Sequence, residues 1–499
     1  MATPYNTAAP LFGGAPAWVS PEDAERIQAY MAYEDMYNTE PDTFSAMQRG
    51  SSSMPVYIPT AKMIVEATNR FLGKDFDYML TGKPDDNTKV LVGGAFQKLF
   101  KRENFYAKYA SQKRFGLVRG DAIWHVWADP EKPLGSRISI DDIDPATYFP
   151  IMADDDINKM VGVHLVDQWE LDDGTIVTRR HTYRKTDTGT ITAETKLFET
   201  AAWDDRIVDA KLKEVATLMP LTELPADVTV IPVYHIPNSR VPNSRFGASE
   251  VKGLERLFAA INQGISDEEL SLALDGLGVY FTTSGAPVDN DGNETTWNLG
   301  PGRVVEGDEG SDFKRVSGVS NVDAMQKHLE YLTAQAQKAA GVPDIAVGNV
   351  SVGVAESGIA LALHLSPILA KNSEKEVEML GIYDQMFYDL YHMWLPAFEE
   401  LTPVEGVEVV SVVGDPMPTN QQAEMEKVIK LYEGGLISLM TAQNMLRKLG
   451  FELSDTEAAD TLDSAMAAAE AADPFGARLA GEATGVMTTD TANTPAAGS

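Results

Sequence analysis

The chain has 499 residues, room for two to four domains with sizeable cores, and its 74 acidic against 41 basic residues give a formal charge of −33. That balance excludes a protein that grips nucleic acid through a broad basic surface, and the lack of cysteine excludes disulfides, thiolate catalysis and Cys-ligated metal centres. The start shows no basic segment followed by an apolar core, and no apolar run reaches the length of a membrane span, so a soluble cytosolic protein with no membrane partner is expected.

After a Pro/Ala-rich start, Ser20-Pro21-Glu22-Asp23 reads as a helix N-terminus: a capping hydroxyl, proline at the first helical position and two acids facing the dipole. This helix should reach about Tyr37. A second runs from Thr60 to near Gly73, and a helical region with a break extends from Asn87 to about Phe115. Lys98, Lys101, Arg102, Lys108, Lys113, Arg114 and Arg119 make a basic island there, opposed only by Glu103. A solvated helix face or salt bridges between subunits would account for it equally well.

From Asp121 the pattern changes to short strands over residues 122–127, 137–140, 147–152, 160–171 and 175–184, separated by turn chemistry such as Asp173-Gly174 and Thr188-Gly189. A further strand is expected at Val228–His235. Ser249 is expected to cap a helix whose Val251, Leu254, Phe258, Ile261 and Ile265 follow a three-four spacing. Residues 278–320 are Gly-rich and strand-like, with runs at Val279–Thr283, Thr295–Leu299 and Arg303–Val305. Another helix carries Val322, Met325, Leu329, Leu332, Ala336 and Ala339 on one seam and stops at Gly341 and Pro343. The loop 344–358 contains three glycines, four valines and no Lys, Arg or aromatic residue; an ordinary surface connection would look the same. A long helix from Ile359 to about Trp394 follows, kinked by Pro367. A strand at Val407–Val413 and helices at 420–432, 438–449 and 454–472 complete the ordered part, and residues beyond Asp473 have the composition of a disordered tail.

No catalytic pattern emerges. Gly73-Lys74 and Gly82-Lys83 lack the spacing and hydroxyl of a phosphate-binding loop, and Ser351 lacks the first glycine of a nucleophile elbow. His328, His364 and His392 sit on separate helical stretches and read as core or interface imidazoles. The acidic runs Asp154-Asp155-Asp156 and Asp289–Glu294 lack the full ligand spacing of a calcium loop and read as turns. Neither metal nor cofactor is expected. A multidomain acidic hydrolase with a dispersed site stays open as a reading.

The order of elements resembles the portal, or connector, proteins of tailed bacteriophages, of the long-tailed siphophage type. The resemblance rests on Asp144-Pro-Ala-Thr-Tyr-Phe-Pro150, on Phe246-Gly-Ala-Ser-Glu250 ahead of a helix with Ala260-Ile-Asn-Gln263, on Gly341-Val-Pro343 before a glycine-bearing loop, and on Glu356-Ser-Gly-Ile-Ala-Leu361 opening the long helix. Another phage structural protein would share the cysteine-free character. The portal resemblance implies a non-enzymatic α+β subunit: a mixed α/β wing (1–246), stem helices at 247–277 and 321–343, and a small β-rich clip (278–320). The tunnel loop (344–358), the long kinked helix returning to the wing (359–414), an α-helical crown (415–472) and the disordered tail (473–499) follow.

The resemblance also implies a ring of twelve copies at one capsid vertex of the virion, assembled in the host cytoplasm beside major capsid and scaffolding proteins. Double-stranded DNA would be packaged and ejected through its channel, with the terminase large subunit and then the head–tail adaptor docking on the clip. On this reading Val347, Asn349, Val350, Val352 and Glu356 line the DNA channel, while Gly348, Gly353, Gly358 and Pro367 act as hinges. Asp289, Asp291, Arg303, Lys314 and Arg315 belong to the docking surface, where seven acids face three bases. Lys108, Lys113 and Arg114 form a basic wing patch facing acidic neighbours or DNA.

Overall fold

The computed structural model describes residues 21–40, 43–44, 55–82, 84–153, 155–172, 175–200, 213–242, 244–277, 279–285, 310, 312–316, 322–348, 358–417, 421–434, 442 and 445–446. Residues 1–416 and 417–499 form two units, and helix and sheet are mixed in an α+β arrangement. In the second unit the helix expected at 420–432 is Gln421–Glu433; the helix expected at 454–472 and the tail lie outside the described residues.

The first unit opens with α1 (Pro21–Asn38) and α2 (Thr60–Phe71), both close to their expected bounds. Strand β1 (Asp77–Thr81) leads through a π-helical turn at Lys89–Gly93 into α3 (Gly94–Arg102). The break expected in this region falls at Asn104, in the left-handed conformation at φ 52°, before α4 (Phe105–Arg119). β2 (Asp121–Ala128), β3 (Ile138–Ile143) and β9 (Val233–Pro237) form one antiparallel sheet in the order β3-β2-β9. Five strands in sequential order form a second: β4 (Tyr148–Ala153), β5 (Asp156–Glu170), β6 (Ile176–Lys185), β7 (Ile191–Thr200) and β8 (Lys213–Glu223). The expected strand at 228–235 is corrected: regular pairing begins only at Val233, because Pro232 has no N–H to give to a ladder.

Helix α5 (Glu255–Leu277) also starts later than expected. Ser249 does not cap it. Its hydroxyl donates to the Val118 carbonyl and accepts from the Val251 N–H, closing a turn, and Gly253 at φ 87° keeps the chain out of helix until Glu255. α6 (Val322–Ala340) packs along α5, and Leu329 fits where Gly264 has no side chain; a Cβ there would lie 2.6 Å from a Leu329 methyl. Between them β10 (Val279–Thr282) and β11 (Phe313–Val316) form a two-stranded antiparallel ladder, and the strands expected at 295–299 and 303–305 lie outside the described residues.

The long helix α7 (Gly358–Asp389) runs through a π-helical turn at Leu390–Trp394 into α8 (Leu395–Glu399). Then β12 (Glu408–Val412) pairs with β1, more than 300 residues earlier in the chain. The main core is aromatic. Phe76, Phe96, Phe100, Phe105 and Trp124 close around Tyr383, Phe387 and Trp394, so the second half of α7 and its continuation are the central post of the unit. At Pro367 the ring nitrogen cannot donate to the Leu363 carbonyl, and the Ser366 hydroxyl takes its place at 2.8 Å.

Candidate functional site

The loop 344–358 joins α6 to α7, so whatever it does depends on how those two helices are held. The inward face of α7 is apolar, with Leu365, Ile368, Met379 and Tyr383 buried, except for Lys371, Asn372 and Lys375. The Lys371 ammonium donates to Glu250 Oε2 (2.7 Å), the Ala340 carbonyl (2.8 Å) and Thr68 Oγ1 (3.1 Å), which uses all three of its protons. Lys375 donates to Glu250 and to Asn238 Oδ1 (3.0 Å), and the Asn238 amide donates to Glu250 Oε1 at 3.0 Å. Asn372 closes on the Thr68 carbonyl at 3.1 Å.

One carboxylate therefore joins α7, the end of α2, the last turn of α6 and the segment leading to α5. Burial alone would raise the Glu250 carboxyl, but Lys375 and Lys371 outweigh it and hold it at about 2. The Ala340 carbonyl lies at the end of α6, where helix carbonyls lack intrahelical partners and a cation is favoured.

Beyond Ala340 the chain turns through Gly341 at φ 66° and Pro343 into a short 3-10 turn, Asp344–Val347. Ala346 is buried, and its carbonyl accepts from Arg70 Nη1 at 3.5 Å. Val347 is half-buried, Asp344 is exposed, and Gly348 takes the left-handed conformation at φ 101°. Gly358 is the first residue of α7 and Pro367 lies within it. Asn349, Val350, Val352, Gly353 and Glu356 lie outside the described residues, as does Ser351. A cleft of about 530 Å³ lies between the end of α6 and the start of α7, lined by Gln337, Lys338, Val342, Ile345, His364 and Pro367 among others.

The β10–β11 ladder pairs Phe281 with Lys314 and Tyr280 with Arg315. Lys314 is exposed and forms an ion pair with Asp312, whose N–H donates to Thr283 Oγ1 at 2.7 Å. Asp289, Asp291 and Arg303 lie outside the described residues.

The basic island does not gather its charges on one outward face. Lys113 donates to the Asn69 and Leu72 carbonyls at 3.1 and 2.9 Å, capping the C-terminal end of α2, and its burial lowers the ammonium pKa. Lys108 donates to the Ile140 carbonyl and lies 3.2 Å from Asp141 Oδ1. Arg114 Nε donates to Glu66 Oε1 at 3.1 Å, an oxygen that also accepts from Tyr37 at 2.6 Å. Lys113 is thus withdrawn from any outward-facing patch, and Lys108 and Arg114 each have a partner within the subunit. Among the described residues no group of three or more His, Asp or Glu side chains is arranged to hold a metal ion, and no helix is long and apolar enough to cross a membrane.

The node at Glu250 escaped sequence reasoning. Glu250 ends the Phe246–Glu250 motif with no role legible there, and its lysines lie 121 and 125 positions away. The available signal was local: two lysines four apart on an otherwise apolar helix face, an arrangement that buries charge and so calls for an acid from elsewhere.

A family model described as "Phage portal protein, SPP1 Gp6-like" matches residues 17–462. The chain belongs to this portal protein family. The family is one of structural proteins, not enzymes. No curated protein matches the chain. Solved structures similar to this portal-family chain include a chain titled "Virion of native gene transfer agent (GTA) particle", at 11% identity and TM-score 0.43, covering 85% of this chain and 94% of that one. Another, titled "Neck of empty GTA particle computed with C6 symmetry", shows 13% identity and TM-score 0.42, with 82% and 98% covered.

Proposed function

We propose that the chain is one subunit of a ring of twelve copies at a capsid vertex of the virion, forming the channel through which double-stranded DNA is packaged and later ejected. The family match over residues 17–462 carries this reading. The loop 344–358 is the channel constriction, with Val347, Asn349, Val350, Val352 and Glu356 toward the DNA. It contains no Lys or Arg, and a surface that must let DNA slide gains nothing from phosphate contacts, each of which adds affinity. Gly348, Gly353, Gly358 and Pro367 let it shift as the duplex passes. The acid-rich segment from Asp289 through Lys314 and Arg315 docks the terminase large subunit and then the head–tail adaptor through their basic surfaces. Major capsid and scaffolding proteins surround the ring during assembly in the host cytoplasm.

Electron microscopy of the purified chain, with mass determination on the same sample, tests the reading. Rings with an axial hole near twelve chains in mass are expected, and a monomer or dimer at every concentration overturns it. Within the ring, Val350→Lys is expected to slow packaging, more so at low salt than at high salt. An unchanged packaging rate removes the constriction role from this loop.

A further inference from the structure

Helix α7 has two faces, and among the described residues only one of them is covered. Opposite the core-facing residues, Leu363, Pro367, Ala370, Glu374, Val377, Gly381 and Tyr388 recur at spacings of three, four and once seven, which places them on a single stripe about 38 Å long. All are exposed, Leu363 at 70%, Val377 at 75% and Tyr388 at 43%. An apolar seam of this length open to water marks a contact surface, and Ala370 and Gly381 would let another backbone approach closely.

Position identifies the occupant. The stripe begins five residues after Gly358, where the loop assigned to the channel wall ends. A helix that starts at the wall of a ring and runs away from it has its flanks turned toward the neighbouring copies. A ring also needs a second, different surface on the same chain, because head-to-tail contacts are not self-complementary. The chain has one: Val90 and Leu91, 76% and 54% exposed, flank a groove of about 680 Å³ lined by Leu99, Leu395 and Leu401, with the bases Lys98 and Arg102 and the acid Glu399 at its border. Glu399 is taken up by the Gly135 and Arg137 N–H groups, which leaves the groove's balance basic and opposite in sign to Glu374, the one charge on the stripe.

We propose that the Leu363–Tyr388 stripe of α7 packs laterally against a second copy of this chain. The inference rests on the ring reading and is separable from it. Because the chain has no cysteine, Val377→Cys introduces a single thiol whose reaction with a maleimide reports its exposure directly. The thiol is expected to label at least about tenfold more slowly in assembled rings than in subunits dissociated by dilution. Val377→Asp is expected to shift the ring to free subunits, with the circular dichroism of the folded subunit unchanged because the site is exposed there. Leu218→Asp, at an exposed position on β8, serves as the control and leaves the rings intact. If rings form but the introduced thiol labels as fast as in free subunits, and Val377→Asp rings persist, the stripe is not the contact and the ring reading stands. If the unmodified chain forms no ring at all, both fall.

Discussion

The Glu250 node and the ion pairs at the surface use the same chemical groups to different ends. Arg179 and Asp167 face each other across β5 and β6, both substantially open to water, and Lys314 on β11 pairs with the exposed Asp312 two residues earlier. Such pairs gain little, since water screens the attraction and two long side chains lose freedom. At Glu250 the carboxylate and Lys375 are each less than 10% exposed, so each charge has given up its water and depends on the others. The difference is one of dependence: an exposed pair can lose a member unnoticed, and a buried node cannot.

Removing Glu250 while keeping its lysines should therefore have the largest effect. Glu250→Leu is expected to cost about 3–5 kcal/mol, read as a lowered urea midpoint for the fluorescence of the buried Trp124 and Trp394. Replacing the whole node, Glu250→Leu with Lys371→Met and Lys375→Met, should recover most of that loss, because no unpaired charge remains. If the triple variant is as unstable as the single one, the node acts through packing and not through its charges.

Acid should reproduce the single variant without a mutation. The Glu250 carboxyl titrates near 2 in the folded chain and at an ordinary 4.5 unfolded, so its contribution is complete above pH 4.5 and is lost as the pH falls toward 2. The loss totals about 3 kcal/mol, and the slope of stability against pH in that window should flatten in the triple variant.

A smaller effect belongs to Lys113→Met, which strands two carbonyls at the end of α2. About 1–2 kcal/mol is expected by the same urea measurement. A neutral outcome would return Lys113 to the surface. Arg179→Ala should lie within about 0.5 kcal/mol of the parent, and a cost above about 2 kcal/mol would erase the contrast between exposed and buried charge.

The parts of the fold legible in the sequence were those with local signals. The Pro21 start of α1, the Gly341–Pro343 stop of α6, the three-four seams and the paired aromatic and β-branched runs of β2 to β6 all act over a few residues. What escaped depends on distant chain. β1 is five residues long and exists as a strand because β12 lies beside it. β7 and β8 escaped although the turn at Thr188-Gly189 is legible: Ile191–Thr200 is interrupted by Glu194, Lys196 and Glu199, and β8 carries Pro220 and pairs irregularly with β7. The basic island shows the same limit. Composition reveals a cluster of cations, but only the fold shows that Lys113 caps a helix more than 40 residues away. For the candidate site, the helices flanking the loop were legible, whereas the carboxylate that binds those helices together was not.

With Pro367 as the proposed hinge, α7 has the mechanics of a cantilever. From Lys371 onward the beam is clamped, first by the ion node and then by the aromatic core. Ahead of it, residues 358–366 form an arm of about 13 Å, seated through the buried Leu365, whose hydrogen-bond ladder is interrupted at Pro367. A bend of only about 10° at Pro367 would carry the tip roughly 2 Å. The cleft of about 530 Å³ beside this junction is lined by His364 and Pro367, and on the hinge role proposed for Pro367 a small torque at the clamp would become a larger displacement at Gly358, the first residue of α7.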